Sequence, residues 1–300
     1  MFLKKVSIVK SKIVSLSFAE KVSCYAQLFK LRLTSYVVIS AVLGYFIGAT
    51  TINYASLFWL IIGGFFVTSC SNAFNQIFEK NSDKLMSRTK NRPLPTEKIS
   101  TFEASIVGLV LGIVGVFILW FALNPLSGIL GALAIFSYTV IYTPLKKVST
   151  FSVFIGAFPG AIPPMLGWVA ATGTFSLEAG ILFALQFLWQ FPHFWAIAWR
   201  LDNDYKSAGL KMLPFCKKNK TTSVIILISA LLLFACSFLP EYFHIAGRLA
   251  TITLSILALL MVIPSIKLVQ TQDDKFALRI MLMSYLYLIS SLAILLIDKA

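Results

Sequence analysis

Of 300 residues, 58% are hydrophobic and only 13% charged, and the mean hydropathy of +0.84 excludes a soluble domain. The net charge of +14 would suit nucleic acid, but its distribution along the chain excludes that partner. The four cysteines, Cys24, Cys70, Cys216 and Cys236, have no C-x-x-C spacing, so neither a thiolate metal site nor a disulfide framework follows.

Residues 1–31 interleave Lys4, Lys5, Lys10, Lys12 and Lys21 with apolar side chains. This pattern predicts a basic amphipathic segment lying on the cytoplasmic face of a bilayer. It lacks the long apolar core and small-residue cleavage site of a secretory signal. A mitochondrial transit peptide is the rival reading, and the absence of a long leader favours a bacterial inner membrane. Residues 32–300 read as one membrane domain. Apolar runs at 32–50, 56–80, 102–123, 126–145, 151–171, 178–199, 222–239, 247–265 and 277–297 are each long enough to span. With the N-terminus inside and the C-terminus outside, 24 of the 26 Lys and Arg residues fall on the cytoplasmic side, leaving only Arg248 and Lys299 outside. That asymmetry is the positive-inside rule.

The two long cytoplasmic loops, 79–101 and 200–221, follow the second and sixth spans. Each opens with acids and continues with bases, which predicts two four-helix halves in parallel with a ninth helix appended. The second span ends in a polar run that includes Asn72, Asn75, Glu79 and Asp83. The last three lie at i, i+4 and i+8, on one helical face. Mg²⁺ takes oxygen ligands, typically one or two carboxylates plus substrate phosphates, so these three are candidate metal ligands. Arg88, Lys90 and Arg92 follow as candidate diphosphate partners. In the sixth loop Asp202 and Asp204 are the matching metal candidates. Tyr142 and Lys146 close the fourth span, the lysine suited to a phosphate and the tyrosine to the reacting carbon. In the sixth span Pro192 predicts a kink, and His193 is the one histidine expected within the membrane. A buried histidine is commonly structural, but axial haem ligation is compatible with it.

These residues together resemble the UbiA-type intramembrane prenyltransferases. The resemblance rests on Asn75-x-x-x-Glu79-x-x-x-Asp83 with Arg88-Thr-Lys-Asn-Arg92-Pro-Leu-Pro, on Tyr142-Thr-Pro-Leu-Lys146-Lys147, and on the stretches around Pro163-Pro164, Pro192-His193-Phe and Asp204-Tyr-Lys-Ser-Ala-Gly209. The last three point to the haem branch of the family. The family pattern usually has Asp at the positions of Glu79 and Asn81. Asn81, two residues past Glu79, is turned about 200° away on a helix, outside the expected ligand set.

The resemblance implies an all-α bundle of nine transmembrane helices. It implies transfer of the farnesyl group of farnesyl diphosphate to a vinyl group of haem B, with water addition, for haem–copper oxidase biogenesis. Mg²⁺ as cofactor and a downstream haem-modifying enzyme as partner go with it. Two alternatives stay open: a prenyltransferase acting on an aromatic quinone precursor, and a transporter of an anionic substrate. Against the transporter, the acids gather at one membrane face, whereas transporter sites sit near the midplane.

Overall fold

The computed structural model describes residues 17–299. The expected basic segment 1–31 therefore falls partly outside the described residues. From Ser17 onward it is helix α1 (Phe18–Leu28). Ser17 and Glu20 form a reciprocal capping box at its start. One face buries Cys24 and Leu28 against Ala73, Leu94, Ile99 and Ala104, while Phe18 and Val22 remain exposed. Tyr25 donates a hydrogen bond of 2.6 Å to Glu103, which also pairs with Lys21. Within the described residues α1 thus has one buried and one exposed face.

Among the described residues, nine helices are long and apolar enough to cross a bilayer. They are α2 (Leu31–Gly48), α3 (Tyr54–Asp83), α4 (Thr101–Leu123), α5 (Pro125–Val148), α6 (Ser152–Thr172), α7 (Leu177–Arg200), α9 (Lys220–Tyr242), α10 (Arg248–Thr271) and α11 (Asp274–Ile297). A short helix, α8 (Asp202–Ser207), follows α7. The ends agree with the hydropathy reading except at α10, which runs through Pro264 to Thr271 instead of stopping at 265. The Ser265 hydroxyl back-bonds to the Met261 carbonyl, and the Gln272 side chain closes the far end on the Leu268 and Val269 carbonyls. The helix thus continues past the point where apolar character ends.

Helix α5 also passes a proline. A π-helical stretch, Ser137–Tyr142, precedes Pro144, and the Thr143 hydroxyl donates to the Tyr138 carbonyl at 2.7 Å. The wider i→i+5 turn absorbs the missing N–H, so the helix carries Lys146 onward to Val148. Helix α7 is likewise continuous through Pro192.

The first and fifth spans, α2 and α6, cross backbone to backbone at the centre. A Cβ at Gly44 would collide with the Pro164 carbonyl, and one at Gly167 with the Ala41 carbonyl. Small residues at helix crossings let the axes approach closely, and in lipid this packing supplies much of the attraction between helices. Spans α2–α5 and α6–α10 form the two halves, and α11 packs on α10 and α7. Beyond α11, Asp298 accepts a 2.7 Å hydrogen bond from the Ala250 N–H at the start of α10. The neighbouring Lys299 donates to the Ala49 carbonyl at the end of α2, at 2.6 Å.

Candidate active site

Helix α3 has 30 residues, which span about 45 Å at 1.5 Å per residue. The hydrocarbon layer is ~30 Å thick, so one end of α3 must project past it. That end carries Asn75, Glu79 and Asp83, yet none of them faces water: their exposures are 1%, 5% and 0%. Neighbouring elements fold over them.

Each of the three meets its own cation. Lys30 donates to Asn75 Oδ1 at 2.8 Å. Lys146 donates to Glu79 Oε1 at 2.8 Å, and Arg92 to Asp83 Oδ2 at 2.8 Å. The result is a ladder of three oxygens and three cations along one face of α3. The π-helical stretch and the passage through Pro144 carry Lys146 to its rung. Its ammonium also lies 4.3 Å from the centre of the Tyr142 ring, a favourable cation–π placement. Tyr142 fits against Gly156, where a side chain would strike the ring. Asn75 Nδ2 donates to the Thr143 hydroxyl at 3.3 Å, joining α3 to α5.

Three cations face two carboxylates here, so the ladder has a surplus positive charge. Burial, with Arg92 nearby, pushes the Lys30 ammonium down to about 7, against the pull of Glu79. Such a site gains from the arrival of an anion. At the same time Asp83 Oδ1 is buried with no hydrogen-bond partner. A buried carboxylate oxygen left open costs free energy, and a divalent cation would satisfy it. The donor set of two carboxylates and an amide oxygen is the kind Mg²⁺ takes alongside phosphate and water, so these residues fit the metal.

The other expected residues divide. Arg88 and Lys90 are exposed on the loop after α3 and make no ion pair among the described residues. Asn81 is exposed, as its angle on the helix requires. Asp204 reaches the first loop: the Ser87 hydroxyl lies 2.8 and 2.9 Å from its two oxygens. Ser207 donates to the Leu85 carbonyl beside it. The Lys211 N–H donates to the Lys146 carbonyl, so the second loop lies against the end of α5. Asp202 does not join this meeting. Two residues before Asp204 on the same helix, it pairs with Lys206 at 2.6 Å. Among the described residues no three acidic, histidine or cysteine side chains gather at one point. Asp204 thus belongs to the rim around the ladder and is not a third carboxylate within it.

His193 lies elsewhere on α7. Its Nδ1 is 2.7 Å from the Ser284 hydroxyl of α11, and its ring stacks on Trp189. The Ser284 hydroxyl also lies 2.6 Å from the Met281 carbonyl. The bond to Ser284 occupies Nδ1 in either tautomer and leaves Nε2 free of it.

Sequence reasoning missed three polar contributors. Lys30 has no spacing that sets it apart from the other cytoplasmic lysines, although it stands directly before the first apolar run. Ser87 and Thr143 are neutral hydroxyls with no distinguishing spacing.

The fold and the ladder define a multi-pass membrane protein that buries an anion-receptive, metal-compatible cluster at one end of its bundle. Residues 37–290 match the UbiA prenyltransferase family, and the chain belongs to that family. It is 45% identical over 283 residues to a protoheme IX farnesyltransferase of Flavobacterium psychrophilum, covering 92% of this chain and 94% of that one. A protoheme IX farnesyltransferase of Christiangramia forsetii is 42% identical, with 94% and 95% covered. Among solved structures the fold is similar to that of a digeranylgeranylglyceryl phosphate synthase, with a TM-score of 0.79 at 21% identity, covering 93% of this chain and 98% of that one. It is also similar to a UbiA homologue from Archaeoglobus fulgidus bound to DMAPP and Mg²⁺, with a TM-score of 0.65 at 16% identity, covering 90% and 98%.

Proposed function

We propose that this chain transfers the farnesyl group of farnesyl diphosphate to a vinyl group of haem B, releasing diphosphate. The observation that carries the diphosphate half is the buried ladder with its surplus cation and open Asp83 oxygen. The acceptor is carried by the relatives named protoheme IX farnesyltransferase.

The residues have distinct tasks. Asn75, Glu79 and Asp83 would hold Mg²⁺, which when bound supplies Lewis-acid neutralisation of the leaving diphosphate. Lys30, Lys146 and Arg92 turn from the ladder oxygens to phosphate oxygens, and Arg88 and Lys90 reach in from the loop. Asp204, held by Ser87, closes the rim. These cations stabilise charge that grows on the diphosphate as it departs. The C1–O bond breaks with its electron pair going to diphosphate. The vinyl π electrons of haem then form the new bond to C1. Water adds to the carbon left positive beside the porphyrin and loses a proton, leaving a hydroxyl.

Until carbon attacks, the allylic cation has to be kept from water. A run of rings between α6 and α7 is suited to this. Phe154 stacks near Phe191 and meets Phe187 edge-on, and Phe158 continues to Phe183. We assign this column to the isoprenoid chain, since aromatic faces favour both apolar chains and cations. His193, with Nε2 free of the Ser284 bond, is assigned to haem. By the positive-inside rule the ladder end faces the cytoplasm of a bacterial inner membrane.

The test uses purified protein in nanodiscs with farnesyl diphosphate, Mg²⁺ and either haem B or 4-hydroxybenzoate. Haem O and diphosphate are expected from the first mixture only. Prenylated hydroxybenzoate with no haem product would transfer the reading to quinone synthesis. An absence of diphosphate release from both would end the prenyltransferase reading.

A further inference from the structure

Lys30 is aimed at the ladder by an unusual piece of backbone. It follows the C-cap of α1 with φ 49° and ψ 56°, in the left-handed region. That position after a helix is normally glycine, because a side chain there crowds the following carbonyl. A lysine in this conformation persists only where its surroundings hold it.

The surroundings are two amides of α3. Gln76, fully buried, donates from Nε2 to the Gln27 and Leu28 carbonyls at 2.9 and 2.8 Å. Asn72 donates from Nδ2 to the Phe29 carbonyl at 3.2 Å and to the Thr34 hydroxyl at 3.1 Å. Thr34 in turn donates to the same Phe29 carbonyl at 2.7 Å. The last three carbonyls before Lys30 are thus all gripped by side chains from outside their helix. Such carbonyls have no partner within α1 itself. Asn72 and Gln76 lie four residues apart on one face of α3, and Asn75 stands about 100° round from Gln76 on the adjoining face. The helix that presents the ladder also fixes the turn that delivers a cation to it.

We infer that Asn72 and Gln76 are positioning residues for the prenyl diphosphate: they act through Lys30, by holding the left-handed turn that points its ammonium at Asn75. The inference rests on the reading of the ladder as the diphosphate site. It gives α1 a role in binding, since its C-terminal turn is part of the device.

The test is a double-mutant comparison on purified protein in nanodiscs, measuring the Kd for farnesyl thiolodiphosphate with Mg²⁺. Lys30→Met removes a charge-assisted contact of about 1.5–3 kcal/mol, so binding weakens about ten- to a hundredfold. Gln76→Met is expected to weaken it at least fivefold. The double variant should bind as Lys30→Met alone, within twofold, because the grip has no further effect once the ammonium is gone. Multiplying losses, or a Gln76→Met variant within twofold of the parent, would overturn the inference. Should Gln76→Met fail to fold, Thr34→Val, which keeps the shape and loosens the Phe29 carbonyl, takes its place in the same comparison. Asp83→Ala is measured alongside. If it binds the diphosphate normally, the ladder reading itself fails. If it loses binding while Lys30→Met does not, only the present inference falls.

Discussion

Glu79 and Asp83 sit four residues apart on one unbroken helix, whereas Asp202 and Asp204 sit two apart on a helix of six residues. Four residues bring side chains to the same face, and two turn them about 200° apart. The first pair therefore shares a buried row with Asn75, each rung with its own cation. The second pair is divided: Asp204 meets Ser87 across the loops, and Asp202 turns to Lys206. Similar acid-then-base loops in the two halves do not give equivalent sites. The half with the long helix builds the buried row, and the half with the short helix supplies one carboxylate to its rim.

This contrast can be broken by mutation. The largest loss is expected from Asp83→Ala, roughly 10³-fold in turnover, since it removes the open oxygen and releases Arg92. Chelation of divalent cations should be comparably severe and reversed by Mg²⁺, as read by diphosphate release. Asp204→Ala is expected to cost about 10²-fold, and Asp202→Ala less than about twofold. Equal losses from the two would mean that α8 turns on substrate binding and that the difference between the halves disappears.

Stability sharpens the same comparison. Glu79→Gln strands Lys146 in a buried position, and breaking a buried pair typically costs about 3–5 kcal/mol. Lys206 is more than half exposed although Asp202 is buried, so Lys206→Met removes a cation already screened by solvent and should cost less than Glu79→Gln. Thermal unfolding in detergent reads both. A milder effect from Glu79→Gln than from Lys206→Met would contradict the ladder's structural weight.

Much of this was legible beforehand. Hydropathy and the lysine–arginine asymmetry give the nine spans because lipid tolerates only internally bonded, apolar segments. The i, i+4, i+8 spacing gives the buried row. The angle that places Asn81 outside the ligand set applies equally to Asp202, two residues before Asp204. Two features were out of reach. The passage of α5 past Pro144 depends on a π-helical stretch that no residue type announces. Lys30 matters only because two amides, 42 and 46 positions away, bend the backbone under it. Contacts of that kind arise from tertiary packing and leave no local periodicity.

The residues after α11 carry one more consequence. Lys299 donates to the Ala49 carbonyl at the end of α2, and Asp298 caps α10. Among the described spans α2 is made before α11, so the Lys299 bond to the end of α2 can form only once α11 is in place. The crossing of α2 with α6 does not wait for it, because Gly44 and Gly167 let those two helices meet as soon as α6 is inserted. The Lys299 bond is therefore a late latch on a pair of helices that can already be joined.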